Sequence, residues 1–523
     1  MRMSQELEHG GQSEVIAFLG RAETYGSSAA TVERIETHGA MVFLAGSEVY
    51  KIKRAVEYPY MDFSTLDLRR RACAREVEIN RPHAPGIYLG VVAITRERDG
   101  TLAFDGGGDP VEWAVRMRRF PADCLMSRIA DAGGLDTGLA RDIGDAVADY
   151  HETSQIASTA APTRGLAGVI VEVTSGLAEA RIGDGPSVAA LTAGLREALA
   201  RVSGLLTRRA GAGFVRRCHG DLHLGNMVLF EGRATAFDAL EFDEDMATID
   251  TLYDLAFLLM DLDMRGRRAA ANAVLNRYLW RTQADLDLEG LAALPLLLAL
   301  RAGIRAMVMG QQAELAGGDE QSGKRKSAER YLAAARAFLF PSQTRVVAVG
   351  GLSGTGKSTL AAALAPEIGR APGAIHLRSD LERKSMFGVG EMDRLGAECY
   401  AGEATRRVYE RLGHRMRLAA GAGQSVVVDA TFSEQAEREE VQAAARSLGI
   451  PFIGIWLTAR AETLISRVAA RRGDASDADV DVVRNQLRRS TGPMDWISID
   501  AEGAPQDALR LARVALQGVA GSG

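Results

Sequence analysis

Cys218-His219-Gly220-Asp221-Leu222-His223-Leu224-Gly225-Asn226, followed by Phe237-Asp238-Ala239-Leu240-Glu241, is the stretch that decides the fold. Loops that catalyse phosphoryl transfer put an aspartate a few positions before an asparagine and a second aspartate shortly after. Asp221, Asn226 and Asp238 keep that order, with His219 just ahead. The chemistry explains the pattern. One carboxylate accepts a hydrogen bond from an acceptor hydroxyl and orients it, an amide oxygen ligates a hard cation, and a second carboxylate bridges that cation to phosphates. A polar turn between two strands would also hold His and Asp, so the loop has to be weighed with its partners along the chain.

His219 to Asn226 resembles the H-G-D-x-H-x-x-N loop of the aminoglycoside phosphotransferase family, a small-molecule branch of the protein-kinase-like fold. Far downstream, Gly351-Leu352-Ser353-Gly354-Thr355-Gly356-Lys357-Ser358 is a complete Walker A sequence. Carrying both, the chain resembles the fused bacterial family described as bifunctional aminoglycoside phosphotransferase family protein/ATP-binding protein. The resemblance covers nearly the whole chain. It implies an α+β bilobal protein-kinase-like domain followed by an α/β P-loop NTPase domain with a mostly parallel sheet. It also implies ATP and Mg2+ as cofactors and small-molecule hydroxyls as acceptors. Because one fold hosts many acceptors, "aminoglycoside" names a family here and no substrate.

The totals agree with two domains. A chain of 523 residues exceeds one core. The expected domains are 1–340, with a small lobe over about 25–120 and a large lobe over about 121–340, and then 344–523. A net charge of −6 gives no footprint for a general nucleic-acid binder. Cys73, Cys124, Cys218 and Cys399 lack paired spacing, which argues against disulfides or zinc and suits a cytoplasmic location. The N-terminus lacks the apolar run of a signal peptide. Leu291 to Leu300, interrupted by Pro295, is too short to span a bilayer and reads as a buried helix, so no membrane partner is expected. Only six lysines occur: Lys51, Lys53, Lys324, Lys326, Lys357 and Lys384. Arginine cannot replace a compact ammonium everywhere, so their positions carry information.

Residues 1–30 read as a polar tail and a short helix around Val15 to Leu19. Met41 to Leu44 and Glu48 to Lys53 read as a hairpin. Period-2 alternation puts Lys51 and Lys53 on one face. Tyr50-Lys51-Ile52-Lys53 aligns with V-A-I-K so that Lys53 is the phosphate ligand, with Lys51 the runner-up. Leu66 to Asn80 is helical and carries Glu76, our choice for the lysine's partner, and Glu78, the alternative. Tyr88 to Ile94 and Glu112 to Met117 read as strands. From Asp123 to Arg209 the pattern is helical, interrupted near Gly165 and at Gly183 to Pro186. Met227 to Phe230 and Ala234 to Phe237 form a hairpin that ends at Asp238. Asp221 is then the catalytic base, with Asn226 and Asp238 as magnesium ligands. Ile249 begins a buried helix. Its Asp254 resembles the family's loop-bracing aspartate, or else is a first-turn carboxylate that complements the helix dipole. Helices continue to Phe340, with Lys324-Arg325-Lys326 as a solvated run.

Pro341 to Gln343 lacks the apolar content of a buried connection, so 344–523 is expected to fold alone. Arg345 to Gly350 is a buried strand feeding the Walker A loop, and Thr359 opens a helix. Strand, G-x-x-x-x-G-K-S, helix is the context a P-loop requires. Gly351, Ser353, Gly354, Thr355, Gly356, Lys357, Ser358 and Thr359 are the nucleotide-binding residues, and Ser358 also ligates magnesium. Ile375 to Asp380 is a second strand. In small P-loop kinases an aspartate at its end faces the acceptor, which makes Asp380 a candidate base. Asp429, at the end of Ser425 to Thr431, has a Walker-B-like position, holding magnesium through water or contacting substrate. Pro451 to Leu457 and Trp496 to Asp500 are further strands. Arg467 and Arg471-Arg472-Gly473-Asp474 resemble the lid of nucleoside-monophosphate-type and gluconate-type kinases, with Arg471 and Arg472 clamping the transferring phosphate. A solvated arginine-rich loop is the bland reading.

The expected function is that of an ATP-dependent phosphotransferase in which each domain transfers the γ-phosphate to a hydroxyl. The alternative makes only the P-loop half catalytic, on a small molecule or a polynucleotide 5′-hydroxyl, with the kinase-like half a binding or regulatory module. The acidic total and the lack of a basic-aromatic stripe count against nucleic acid. The acceptors, the coupling of the sites and the oligomeric state are not legible in the sequence.

Overall fold

The computed structural model describes residues 11–28, 30–58, 61–157 and 162–520. The polar tail expected before the first helix lies largely outside them. The chain divides into two compact units, Met1–Ala160 with Gly213–Leu258, and Ala161–Ala212 with Leu259–Gly523. The expected boundary at 341–343 falls inside the second unit.

In the first unit, β1 (Val32–Glu36), β2 (Ala40–Ala45), β3 (Glu48–Lys53), β4 (Tyr88–Arg96), β5 (Leu102–Phe104) and β6 (Asp109–Arg118) form one sheet. Its order is β1-β2-β3-β6-β4-β5, and every pairing is antiparallel. Strand β1 escaped the sequence reading because its VERIE residues are mostly exposed and carry little apolar signal. The short helix α1 (Ser13–Leu19) buries Val15 and Leu19 in the core of β2–β4 and β6. Helix α2 (Leu66–Asn80) starts at Thr65, whose hydroxyl accepts the Leu68 N–H at 3.3 Å. Its buried residues Arg69, Ala72, Cys73, Glu76 and Asn80 recur at helical spacing and turn one stripe to the sheet. Two of them are charged, and both have partners. Arg69 Nε lies 2.9 Å from Glu112 Oε2, and Glu76 meets the strand lysines described below.

Strand β7 (Val215–Arg217) pairs with β10 (Thr248–Asp250), and β8 (Met227–Phe230) forms a hairpin with β9 (Arg233–Ala236). The nine-residue loop of the opening quotation runs from the end of β7 to the start of β8. Residues 248–250, expected in part as helix, form a strand, and helix α3 (Thr251–Met264) follows it. The Asp250 carboxylate accepts the Leu252 N–H at 2.8 Å, which ends the strand and opens the helix.

The second unit begins with α4 (Pro162–Glu179), so Gly165 lies inside a helix and does not interrupt one. Then come α5 (Gly185–Gly211), α6 (Arg268–Thr282), α7 (Asp285–Gly290), α8 (Leu294–Leu315) and α9 (Gly318–Leu339). Leu294 to Leu300 of the apolar run read as too short to span a bilayer lie in α8, with Pro295 in its first turn. By length and composition α8 could cross a membrane, but 67% of its apolar window is buried inside the protein. Strands β11 (Val346–Gly351), β12 (Ile375–Arg378), β13 (Val426–Asp429), β14 (Phe452–Thr458) and β15 (Ile497–Asp500) form a fully parallel sheet ordered β12-β13-β11-β14-β15. Helices α10 (Lys357–Leu364), α11 (Ser379–Met386), α12 (Gly402–Gly421), α13 (Gln435–Ser447), α14 (Ala461–Ala470), α15 (Val480–Leu487) and α16 (Pro505–Ala520) complete the domain. The fold is therefore a protein-kinase-like domain followed by an α/β P-loop domain.

Strand β12 is an edge of this sheet, yet it is not bare. Asn276 Oδ1 accepts the His376 N–H at 2.7 Å, and Asn272 Nδ2 donates to the Ala374 carbonyl at 2.9 Å. Two asparagines of α6 thus take up backbone groups that an open edge would present to another chain. Arg370 Nη2 reaches the Leu291 carbonyl at 3.1 Å, and Trp280 Nε1 reaches that of Leu381 at 3.3 Å. Helices 268–291 are built onto the P-loop domain, which changes the expectation that 344–523 stands by itself.

Candidate active sites

In the first unit the catalytic-type loop is held from below by Asp254, in the first turn of α3. Its carboxylate accepts the His219 N–H at 3.1 Å and the Gly220 N–H at 2.9 Å, and His151 Nε2 lies 3.1 Å away. Of the two readings open for Asp254, the geometry is that of a loop brace. His219 is fully buried, with Nε2 2.9 Å from the Phe237 carbonyl. Burial pushes its imidazole below the ordinary value, which keeps the ring neutral.

Asp221 stays partly exposed, with its side chain at 43%. Asn226 Nδ2 donates to the Asp221 carbonyl and to Asp221 Oδ2, both at 3.0 Å. That leaves Asn226 Oδ1 as an acceptor, the group a hard cation needs. His223 was not singled out from sequence. Its Nδ1 accepts the Gly225 N–H at 3.0 Å, so the ring proton sits on Nε2, 3.5 Å from Asp221 Oδ2.

Asp238 follows the hairpin with φ of 61°, in the left-handed region. Its N–H donates to the Tyr88 hydroxyl at 3.0 Å, and the next N–H, of Ala239, donates to Asn80 Oδ1 at 2.8 Å. These two partners hold the unusual turn. Burial alone would raise the Asp238 carboxyl, but the Lys51 ammonium and its hydrogen bond, together with Lys53, hold the group below its ordinary value. Lys51 Nζ lies 2.5 Å from Asp238 Oδ1 and 2.9 Å from Glu76 Oε1. Lys53 Nζ lies 2.5 Å from Glu76 Oε2, also meets Glu241, and sits 5.5 Å from the centre of the Phe63 ring. Burial opposes charge on both lysines, but the surrounding carboxylates raise both above the usual lysine value. Glu76 is buried and touches both, whereas Glu78 is exposed and pairs with Arg75. Glu241, three residues after Asp238, was in view in the sequence but had no visible partner.

In the second unit, the loop between β11 and α10 wraps a cavity of about 760 Å³. Gly351 and Gly354 have φ of 138° and 89°, and a Cβ at either would lie 2.7 Å from a backbone oxygen, of Leu457 and Leu464 respectively. Only glycine fits there. Residues Ser353 to Leu360 line the cavity, so Ser353, Gly354, Thr355, Gly356, Lys357, Ser358 and Thr359 come together as read from the sequence. The Ser353 N–H donates to Gln486 Oε1 at 2.9 Å, and Lys357 Nζ donates to the Leu352 carbonyl at 3.1 Å. Burial lowers the Lys357 ammonium against the pull of Asp429 and Asp380.

Asp380 lies in the first turn of α11 and not at the strand end, because β12 stops at Arg378. Burial, then the Asp429 charge, raises its carboxyl above the ordinary value. Asp429 ends β13 and is buried, with His376 Nε2 at 3.5 Å and Arg378 Nε at 3.8 Å. Burial would raise it, but His376 and Arg378 hold it low. Two neighbouring acids thus have opposite tendencies, the pattern that separates a proton acceptor from a permanent anion. Arg471 lines the cavity and meets Asp474 at 3.4 Å, and Arg378 meets the other oxygen of Asp474 at 3.2 Å. Arg472 is not brought to the cavity. Its exposed guanidinium donates to the carbonyls of Ala469 and Arg471, at the end of α14. Arg467 lines the cavity, with its guanidinium donating to the carbonyls of Ala501 and Glu502. His376, Arg378 and Gln486 had no motif to reveal them.

Residues 127–294 match the Phosphotransferase enzyme family, and residues 346–493 match an AAA domain. The chain is similar to an uncharacterized protein of Mycobacterium tuberculosis, 28% identical over 470 residues, or 88% of this chain and 90% of that protein. It is 33% identical over 118 residues to the adenylyl-sulfate kinase of Myxococcus xanthus, covering 22% of this chain and 59% of that enzyme. Among solved structures, a choline/ethanolamine kinase family protein from Mesorhizobium loti is 15% identical. It spans 62% of this chain and 99% of its own, with a TM-score of 0.37. A gluconokinase from Sinorhizobium meliloti is 20% identical, with 34% and 98% covered and a TM-score of 0.25. Two kinase-related domains are joined in one chain.

Proposed function

We propose that this chain, which joins a phosphotransferase-family domain to a P-loop kinase-like domain, transfers the γ-phosphate of ATP to small-molecule hydroxyls at two separate sites. The reading rests above all on Lys51, whose ammonium touches both Glu76 and Asp238. A lysine braced by a helix carboxylate beside a partly exposed second carboxylate is what binding of a nucleotide's phosphates and its cation requires. Lys51 is therefore the phosphate lysine. Lys53, buried between Glu76 and Glu241, is a structural ammonium beneath it.

The donor set fits magnesium. Asp238 offers a carboxylate and Asn226 a free amide oxygen, both hard oxygen ligands. Bound there, Mg2+ would neutralise phosphate charge and fix the γ-phosphate for in-line attack. Asp221, partly exposed beside them, accepts the proton of the acceptor hydroxyl as the new O–P bond forms and the bond to ADP breaks. The His223 ring lies beside that carboxylate, with Nε2 3.5 Å from Oδ2. In the P-loop domain, the loop N–H groups and Lys357 hold the phosphates, Ser358 and Asp429 serve the cation, and Asp380 receives the acceptor proton. Arg471 meets charge developing on the transferring phosphoryl group.

The test is phosphate transfer from labelled ATP to a panel of sugars, aminoglycosides, nucleosides and short oligonucleotides. The wild type is compared with Asp221→Asn and Lys357→Ala. Each substitution should abolish transfer to one set of acceptors and spare the other. If Asp221→Asn leaves every acceptor untouched, the kinase-like domain is a binding module and the P-loop domain the sole catalyst.

A further inference from the structure

Lys384 is buried, and neither nucleotide site uses it. It lies on α11, one turn after Asp380. Its Nζ donates to the Asp393 carbonyl and to Asp477 Oδ1, the latter at 3.0 Å. The second oxygen of Asp477 accepts the Tyr400 hydroxyl at 2.7 Å and the Leu395 N–H at 3.1 Å. Donors from three residues between 384 and 400 thus converge on one carboxylate. That carboxylate belongs to the segment between α14 and α15, which also carries Arg471 and Asp474.

The segment has little regular structure to hold it. Its contacts are made instead by single side chains. Asp474 sits between Arg378 and Arg471 and accepts the Ser476 N–H at 3.3 Å, and Ala475 is buried at 1%. Arg471 is tied to Asp474, and the buried Ala475 lies between Asp474 and the anchored Asp477, so the position of Asp477 bears on that of Arg471. A buried ion pair adds little net stability, because desolvation offsets attraction, but it fixes register when every lone pair is used. Here both oxygens of Asp477 are used. The compact ammonium of lysine suits the site in a chain where nearly every other cation is arginine.

We propose that Lys384, Tyr400 and Asp477 are positioning residues of the P-loop site. They latch segment 471–479 onto the acceptor-side helix, so that Arg471 stands over the nucleotide phosphates. The proposal rests on the phosphotransfer reading of that site. It differs from a merely structural role in one respect: the latch acts through Arg471.

The experiment uses the full chain carrying Asp221→Asn, which silences the first site, and follows hydrolysis of Mg-ATP with water as acceptor. Asp477→Asn should lower kcat by about 10²-fold, the effect of misplacing a catalytic group by an ångström. The KM for ATP should change by less than about threefold, because the P-loop itself is untouched. Tyr400→Phe should act in the same direction but less. Arg471→Ala combined with Asp477→Asn should be no slower than Arg471→Ala alone, since the two act as one unit. Trypsin should also cut after Arg471 or Arg472 faster in Asp477→Asn. Multiplicative losses in the double variant, or unchanged hydrolysis in a folded Asp477→Asn protein, overturn the latch. Lys357→Ala separates the two kinds of failure. Hydrolysis that survives it overturns the P-loop reading and the latch with it. Hydrolysis that falls with Lys357→Ala but not with Asp477→Asn overturns the latch alone.

Discussion

Lys51 Nζ lies 2.5 Å from Asp238 Oδ1, joining strand β3 to the turn after the β8–β9 hairpin across 187 residues of sequence. Lys53, two residues away on the same face of the strand, meets Glu241 instead. The two lysines therefore separate under mutation. Lys51→Met should cut transfer at the first site by about 10²–10³, the range for removing one electrostatic stabiliser, with a modest change in melting temperature. Lys53→Met leaves Glu76 and Glu241 short of a buried partner. It should cost about 3–5 kcal/mol of stability, as breaking a buried pair does. Thermal unfolding and transfer assays on both variants check this. Equal loss of stability in the two would show that Lys51 is structural as well.

Asp221 and Asp238 should divide labour. Asp221→Asn should slow transfer by about 10²–10⁴, the range for general acid–base groups, with nucleotide affinity at the first site nearly unchanged. Asp238→Asn removes a charged ligand from a hard cation and should weaken magnesium-dependent binding. Asn226→Ala should fall between them. Titrating Mg-ATP into Lys357→Ala protein isolates the first site for this comparison. Comparable loss of affinity in Asp221→Asn and Asp238→Asn would refute the assignment.

His83 gives a pH dependence. Its ring stacks on Tyr150, with centroids 3.7 Å apart, and burial above all pushes its imidazole down to about 4. The folded state then binds a proton less readily than the unfolded chain. As pH falls from the ordinary 6.5 towards 4, unfolding takes up the proton and stability drops. The slope per group is at most about 1.4 kcal/mol per pH unit, reduced by solvent screening. Buried His219, also lowered, adds the same sign. Denaturant unfolding between pH 7 and 4 should show a shallower decline in His83→Phe, and an unchanged decline would exclude His83 as a source.

Asn276 covers the edge of the P-loop sheet. Asn276→Ala strands the His376 N–H and should cost about 1–3 kcal/mol, the penalty for an unsatisfied buried donor. By the same argument, a fragment of residues 344–523 should melt below one of residues 259–523. Identical melting of the two fragments would make the asparagine contacts incidental.

The sequence by itself determined the parts whose chemistry is local. His219 to Asn226 and Gly351 to Ser358 each build their geometry within nine residues or fewer, from spacing and from glycines that take conformations barred to other residues. The helix Leu66–Asn80 was legible from its periodicity, whereas its Thr65 cap was found only in the structure. Only the tertiary structure decided what depends on distant partners. Period-2 alternation puts Lys51 and Lys53 on one face, but which of them meets Asp238 is set by the packing of the catalytic turn against that face. Arg471 and Arg472 are neighbours, yet the end of α14 turns one to the cavity and the other to backbone carbonyls. The α6 asparagines that cover β12 and the carboxylate that Lys384 holds are single polar side chains. A short-range pattern records how a residue continues its own helix or strand. It does not record which backbone group or charge the fold brings to that residue from a hundred positions away.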